Sequence, residues 1–423
     1  MNGKQIALSA AAKEMRELLS DKIIPFWLEK SIDNQHGGYL TCIDDKGKVN
    51  ENSNKMIITQ MRMLWGFSAL KCFVPEKYIE RSEHAARQGY DFLIKYFWDS
   101  QNGGFRWETE REGASADDGK LTYAESFAVY ALSEYYLRYN DPNALEYAEK
   151  TFDLLQIYAA DTLHGGYFEN LEQDWSRAAG GVYAGDRKSL DVHMHVMEAF
   201  TVLCRASKKE IHRRKLKEAV GVIINHMINK ECGYGLNQFD ESFKSLPAID
   251  IYRTWNFDRE SGETIGEPAD TTSYGHNVEL SWLLCRAREV LRETGGELCS
   301  IEKKLLDHSL LHGCDYEFGG IYRDGVGNMP ALVKDKEWWQ NFEALAGYLN
   351  GYKVYEDERY LEAFYLTWEF VKKYFIIEEF GESRQLLSRT GEPLISDIGN
   401  AWKGVYHTGR ALAECVRMIE EVQ

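Results

Sequence analysis

Six glycine-centred turns recur along this chain at nearly even intervals, and that period restricts its architecture more than any other feature. Asp33–Tyr39, Asp99–Phe105, Asp161–Tyr167 and Asp315–Ile321 each read Asp, three residues, Gly-Gly, then an aromatic residue or isoleucine. Looser versions occur at Cys232-Gly233-Tyr234-Gly235 and Glu379-Phe380-Gly381-Glu382. The steps between Gly38, Gly104, Gly166, Gly233, Gly320 and Gly381 are 66, 62, 67, 87 and 61 residues. Paired glycines permit tight, positive-φ backbone. A repeat of this length implies one helix pair per unit, arranged around a common axis.

Two helical patterns lie between successive turns. Ile6–Trp27, Lys77–Tyr96, Asn143–Tyr158, Lys208–Met227, Glu297–Leu311 and Asp357–Tyr374 interleave charged residues with one apolar stripe, so they predict an outer ring facing water. Met56–Leu70, Tyr123–Tyr136, Leu190–Leu203, Tyr274–Leu291, Trp338–Tyr348 and Tyr406–Ile419 are apolar on several faces and predict a buried inner ring. Inner-to-outer links are short, whereas outer-to-inner links are long and carry the glycines. All long loops therefore gather at one end, where every inner helix begins, and polar residues near those starts should converge on one crevice.

Composition narrows the function classes. With 44% hydrophobic and 13% aromatic residues, the 423-residue chain can bury a large core, and one closed repeat array over 1–423 is expected rather than several domains. The 67 acidic and 50 basic residues leave a net charge of -17, which repels nucleic acid and anionic membrane surfaces. No basic N-terminal segment precedes an apolar run and no window approaches membrane-span length, so a soluble cytoplasmic protein is expected, a monomer or homodimer. Eight cysteines stand singly without a C-x-x-C pair, consistent with reduced thiols and with no zinc or redox site.

Within Ser189–Glu198, helical spacing puts Asp191, His195 and Glu198 on one face and His193 elsewhere, so the two histidines cannot clamp one metal. His193 reads as a buried structural histidine. In Tyr274–Glu279, the i, i+3 spacing sets Glu279 beside His276, where a carboxylate would fix the tautomer and raise basicity. His407 begins the last inner helix, so three imidazoles from separate helices are expected around one ligand. Arg62 is a charge in an apolar helix and requires a partner or an anionic species. Trp339 and Trp402 are candidates to stack on sugar rings, and Tyr123, Asp191 and Glu343 are expected to contact the same ligand. The absence of G-x-G-x-x-G, P-loop, H-E-x-x-H and G-x-S-x-G motifs removes support for nucleotide, zinc and serine chemistry.

Six ordered blocks resemble the N-acylglucosamine 2-epimerase superfamily, and most closely its cellobiose 2-epimerase branch. They are Gln60–Trp65, Tyr123–Leu132, His193–Ala199, Ser273–Glu279, Trp338-Trp339 with Glu343, and Lys403–Arg410. The resemblance implies an all-α (α/α)6 barrel of six inner and six outer helices, needing no cofactor, that interconverts the C2 configuration of a glucose or mannose unit. It also implies that His276 and His407 shuttle the C2 proton, that Arg62 and His195 hold the reacting oxygens, and that the tryptophans stack on sugar. The chain departs from the branch in having Asp191 where asparagine is usual and Phe342 where alanine is usual. Its long step contains a surplus, Ile249 to Asp270, placed to cover the crevice and favour mannose or glucose over a disaccharide. An aldose–ketose isomerase, an N-acylglucosamine 2-epimerase, a glycoside hydrolase using Asp191 and Glu279, and a non-catalytic sugar- or protein-binding role are the alternatives.

Overall fold

The computed structural model describes residues 3–255 and 271–422. Its outer helices are α1 (Gly3–Leu18), α3 (Ile79–Phe92), α5 (Pro142–Leu154), α7 (Glu210–Val222), α9 (Glu297–His312) and α11 (Glu358–Phe370). Its inner helices are α2 (Ile57–Ala69), α4 (Thr122–Tyr139), α6 (Leu190–Ser207), α8 (Tyr274–Leu291), α10 (Trp338–Tyr355) and α12 (Tyr406–Val422). Every residue of α2 is buried, as its lack of a polar face requires. Each inner helix packs on the next, and α12 returns to α2, closing the (α/α)6 barrel. Among the described residues, no helix is long and apolar enough to cross a membrane.

Five outer helices widen into one π turn, at Leu19–Ile23, Leu93–Phe97, Leu155–Ala159, Ile223–Met227 and Val371–Phe375. The wider turn carries Phe97, Ala159, Met227 and Phe375 into the core, all at 0% exposure. Inner helices α4, α6, α8 and α10 end on left-handed residues Asn140, Lys208, Arg292 and Glu356, which reverse the chain in the short links back to the outer ring.

At the loop end, strands of two or three residues stitch each unit to its neighbour, an addition to the all-helical expectation. The residues just before an inner helix pair with those after the next glycine turn: Lys55–Met56 with Glu108–Thr109, Lys120–Leu121 with Asn170–Leu171, Arg187–Ser189 with Gln238–Asp240, Thr272–Ser273 with Asp324–Gly325, and Lys336–Glu337 with Leu386–Leu387. A bridge between Ile43 and Gly399 closes the circle.

The recurring shape of the turn has a physical cause. Asp33 Oδ1 accepts the backbone N–H groups of Gln35 and His36, which folds the turn, while Oδ2 meets the buried Lys55 at 2.9 Å. The same pair recurs as Lys120–Asp99 at 3.2 Å, Lys188–Asp161 at 2.7 Å and Lys336–Asp315 at 3.1 Å. Each lysine stands in the strand just before the inner helix, so one carboxylate ties turn to helix start. Gly38 needs both its φ of 67° and its bare Cα, because a Cβ would lie 2.9 Å from Gln60 Oε1.

Burial pushes Asp99, Asp161 and Asp315 up, but their backbone N–H, side-chain and lysine partners outweigh it and hold each at about 2. A depressed carboxyl stabilises the fold fully above its unfolded value near 4 and stops doing so as pH falls through its folded value. Acid titration followed by far-UV circular dichroism is expected to show unfolding between about pH 4 and pH 2. Lys120→Met, which removes the lysine beside Asp99, should move the onset to higher pH; an unchanged onset would show that the pair contributes nothing.

Candidate active site

The glycine turns also set the helical phase of every inner helix. The turn's backbone N–H is accepted by one inner-helix side chain in each unit: Tyr39 N by Gln60, Phe105 N by Glu125, Tyr167 N by His193, Gly235 N by Asn277 and Ile321 N by Asn341. His193 is therefore structural, with Nδ1 on Ser189 O at 2.7 Å and burial lowering its pKa to about 4. Two residues beyond each anchor come Arg62, Phe127, His195, Glu279 and Glu343. In α12, Thr408 bonds Glu382 at the sixth turn, and Arg410 follows two residues later. One layer of the barrel is thereby filled by these six side chains.

Above that layer lies a cavity of about 80 Å³, room for several water molecules. Arg62, Tyr123, Asp191, His195, His276 and Glu279 line it with His407, Trp338, Trp339 and Trp402, while Thr254 and Trp255 form its roof. The roof is tied down by Gln238, whose side chain bonds both N and O of Ile249, and by the Arg253–Asp117 pair at 2.9 Å. Trp255 Nε1 donates to Glu337 at 2.8 Å. The rest of the expected covering segment, 256–270, lies outside the described residues.

Arg62 donates to Trp402 O at 2.7 Å and to the Tyr123 hydroxyl at 2.9 Å. Its Nε is buried without a hydrogen-bond partner among the described residues, and the residue lines the cavity. His195 has carboxylates on both nitrogens, Glu198 Oε2 at 2.9 Å from Nδ1 and Asp191 Oδ1 at 3.4 Å from Nε2. Burial opposes charge on this ring, but the bonds to Asp191 and Glu198 prevail and raise it to about 9. His195 is accordingly a cation with two donors.

His407 is its electrostatic opposite. Burial and the nearby Arg62 and Arg410 cations hold it well below the usual histidine range, so it is a neutral base. Nδ1 lies 2.8 Å from Glu343 Oε1, which leaves Nε2 for the cavity. His276 and His407 both lie against Trp339, with ring centroids 4.6 and 5.8 Å from it.

Two expected placements are corrected. Glu279 does not orient His276: its Oε1 accepts from Arg410, and the carboxylate beside His276 is Asp191, with Oδ1 3.4 Å from Nε2. Glu343, expected as a sugar contact, is fully buried behind His407 and receives Arg410 Nη2 at 2.6 Å and Trp282 Nε1 at 3.2 Å. Sequence reasoning gave Arg410 no role, yet its guanidinium joins Glu198, Glu279 and Glu343 at the centre of the barrel. The signal available was the repeat phase, which places an arginine level with glutamates of two other inner helices. Burial, opposed by Arg410 and abetted by Glu279, pushes the Glu343 carboxyl up from its usual range. Ligand atoms of Glu279, Glu343 and His407 lie within 4.8 Å of one another, but Arg410 is already the cation serving both carboxylates.

Residues 38–411 match the sequence profile of the family described as N-acylglucosamine 2-epimerase (GlcNAc 2-epimerase). Cellobiose 2-epimerase of Bacteroides fragilis is 29% identical over 417 residues, 97% of this chain and 98% of that protein. D-Mannose isomerase of Marinomonas mediterranea is 23% identical over 409 residues, covering 96% and 98%. The solved structure of cellobiose 2-epimerase from Spirochaeta thermophila superposes over 100% of both chains with a TM-score of 0.87 at 26% identity.

Proposed function

The chain belongs to the N-acylglucosamine 2-epimerase family, and as a sugar 2-epimerase or isomerase of that family we propose that it inverts C2 of an aldose, exchanging glucose and mannose configuration through an enediolate. The observation that carries this reading is the pair His276 and His407, on separate helices and both facing Trp339 in one cavity. A C2–H bond is not acidic in a closed pyranose and becomes so only beside an open-chain aldehyde. One imidazole then removes the proton, and the other returns one to the opposite face of C2. Negative charge spreads over O1 and O2 of the enediolate, where Arg62 and the cationic His195 stabilise it, an effect worth a few kcal/mol per donor.

The reading extends to substrate size. Trp255, held by Glu337 and lying 5.1 Å from the Trp338 ring, lines the cavity together with the histidines, and this aromatic wall supports a preference for free mannose or glucose over cellobiose. A ketose product is the second reading, supported by the similarity to the D-mannose isomerase, since the same enediolate protonated at C1 gives a ketose. A hydrolase would need a free carboxylic acid facing a carboxylate, whereas Glu279 is held by Arg410 and Asp191 by two imidazoles.

Incubation with mannose, glucose, cellobiose and N-acetylglucosamine in deuterated water, followed by NMR, tests all of this. The expected result is deuterium at C2 of the epimer, with mannose and glucose turned over at least roughly tenfold faster than cellobiose, and a smaller gap in Trp255→Ala. Deuterium mainly at C1 of fructose would establish the isomerase reading instead. Efficient turnover of cellobiose with negligible turnover of mannose would overturn the size preference.

A further inference from the structure

We propose that Tyr406 is a positioning residue for the oxyanion side of the cavity: its buried hydroxyl keeps the proton shared by His195 and Glu198 on the imidazole, so that His195 meets the enediolate as a cation. The proposal rests on the enediolate reading in taking His195 as a group beside the reacting oxygens.

Tyr406 opens α12 and is fully buried. Its hydroxyl lies 2.8 Å from Glu198 Oε1 and 2.9 Å from Oε2, and Arg410 Nη1 donates both to that hydroxyl and to Oε1. A phenol carries one O–H, and among the described residues the two Glu198 oxygens are the acceptors it reaches. Oε2 is also the atom that faces His195 Nδ1 at 2.9 Å. Two donors therefore share one oxygen, and a carboxylate that accepts several hydrogen bonds binds a proton weakly. The ring serves other groups: Arg62 stands 5.2 Å over its face, and the His407 imidazole lies 4.7 Å from it.

The barrel's other histidine–glutamate pair shows what the hydroxyl adds. Glu343 Oε1 faces His407 Nδ1 at 2.8 Å and receives Arg410 Nη2 at 2.6 Å, but its neutral donor, Trp282 Nε1, sits on the far oxygen, Oε2, at 3.2 Å. That histidine is neutral and its glutamate is pushed up. Burial pushes Glu198 up as well, yet Arg410, His195 and Tyr406 outweigh it and hold the carboxyl at about 2. Asp191, 3.4 Å from Nε2, favours the same cation from the other side of the ring. Without the Tyr406 hydroxyl, Glu198 Oε2 becomes the stronger acceptor and draws the Nδ1 proton toward itself. The pair then tends to neutral imidazole and carboxylic acid, and the enediolate loses a cation.

Imidazole NMR of the protein labelled with nitrogen-15 histidine, near neutral pH, tests the proposal, the His195 signals being those lost in His195→Asn. The wild-type ring should be an imidazolium with protons on both nitrogens. Tyr406→Phe keeps the aromatic ring against Arg62 and His407, so it isolates the hydroxyl. It should move the His195 Nδ1–H resonance downfield and lower kcat for C2 exchange by about tenfold to a hundredfold with KM within about twofold, as expected for one hydrogen bond to a charged group. A residue that only packs would lower the unfolding midpoint and leave the His195 resonances in place. Should the phenylalanine variant fail to fold, replacement of Tyr406 by 3-fluorotyrosine, a stronger donor of nearly the same size, should shift the same resonance upfield. A neutral wild-type His195, or a resonance unmoved in either substituted protein, overturns the proposal. Wild-type kcat in a Tyr406→Phe protein whose proton has moved also overturns it and leaves the epimerase reading intact. Absence of C2 exchange on any aldose in the wild type would refute the epimerase reading, while the resonances of the free protein still decide where Tyr406 leaves the proton.

Discussion

His407→Gln is expected to cut epimerisation in both directions by about a hundredfold to ten-thousandfold, the range supplied by a positioned acid or base, and to abolish C2 deuterium exchange from only one epimer. His276→Gln should show the complementary pattern. Each imidazole serves one face of C2, so a variant lacking one still removes the proton that faces the other. The two rings differ in their surroundings: His407 is neutral, buried among cations and backed by Glu343, whereas His276 faces Asp191. C2 exchange measured separately from glucose and from mannose reads the asymmetry directly. Equal loss of exchange from both epimers in both variants would show that the histidines work as one unit and not as two bases.

The largest loss of stability is expected from Arg410→Met. Arg410 is 2% exposed, and its guanidinium is the common partner of Glu198, Glu279 and Glu343. Removing one partner from a buried ionic group leaves uncompensated charge and costs about 3–5 kcal/mol. Here three carboxylates from three inner helices lose their counter-ion together. Arg410→Lys should recover little, since a single ammonium cannot reproduce a planar fork that bridges several carboxylates. Urea unfolding with an unchanged slope and a lower midpoint would measure the effect; a midpoint equal to wild type would show that the carboxylates accommodate by taking up protons. Activity should fall with stability, because Glu198 and Glu343 in turn hold His195 and His407.

Much of the barrel is legible before any coordinates are considered. Helix pairs, their inner and outer assignment and the gathering of long loops at one end follow from periodicity and from the six glycine turns, and the structure reproduces them with boundary shifts of up to nine residues, as at Leu18 where Trp27 was expected. Within one helix, spacing also succeeded: Asp191, His195 and Glu198 do share a face. It failed at Glu279, where i, i+3 spacing made a His276 neighbour of a side chain that Arg410, 131 residues away in sequence, claims instead. Glu343 was misread for the same reason, and Trp255 was not separable from the rest of its long segment.

By itself the sequence determined the repeat, the inner and outer rings and the face that Asp191, His195 and Glu198 share, because glycine turns and 3.6-residue periodicity are local properties of the chain. Only the tertiary structure decided which carboxylate serves which imidazole, that one arginine gathers three glutamates, and that Asp191 stands between two histidines. Those pairings join helices far apart in the chain, and burial makes each charge take the partner that ring closure brings nearest.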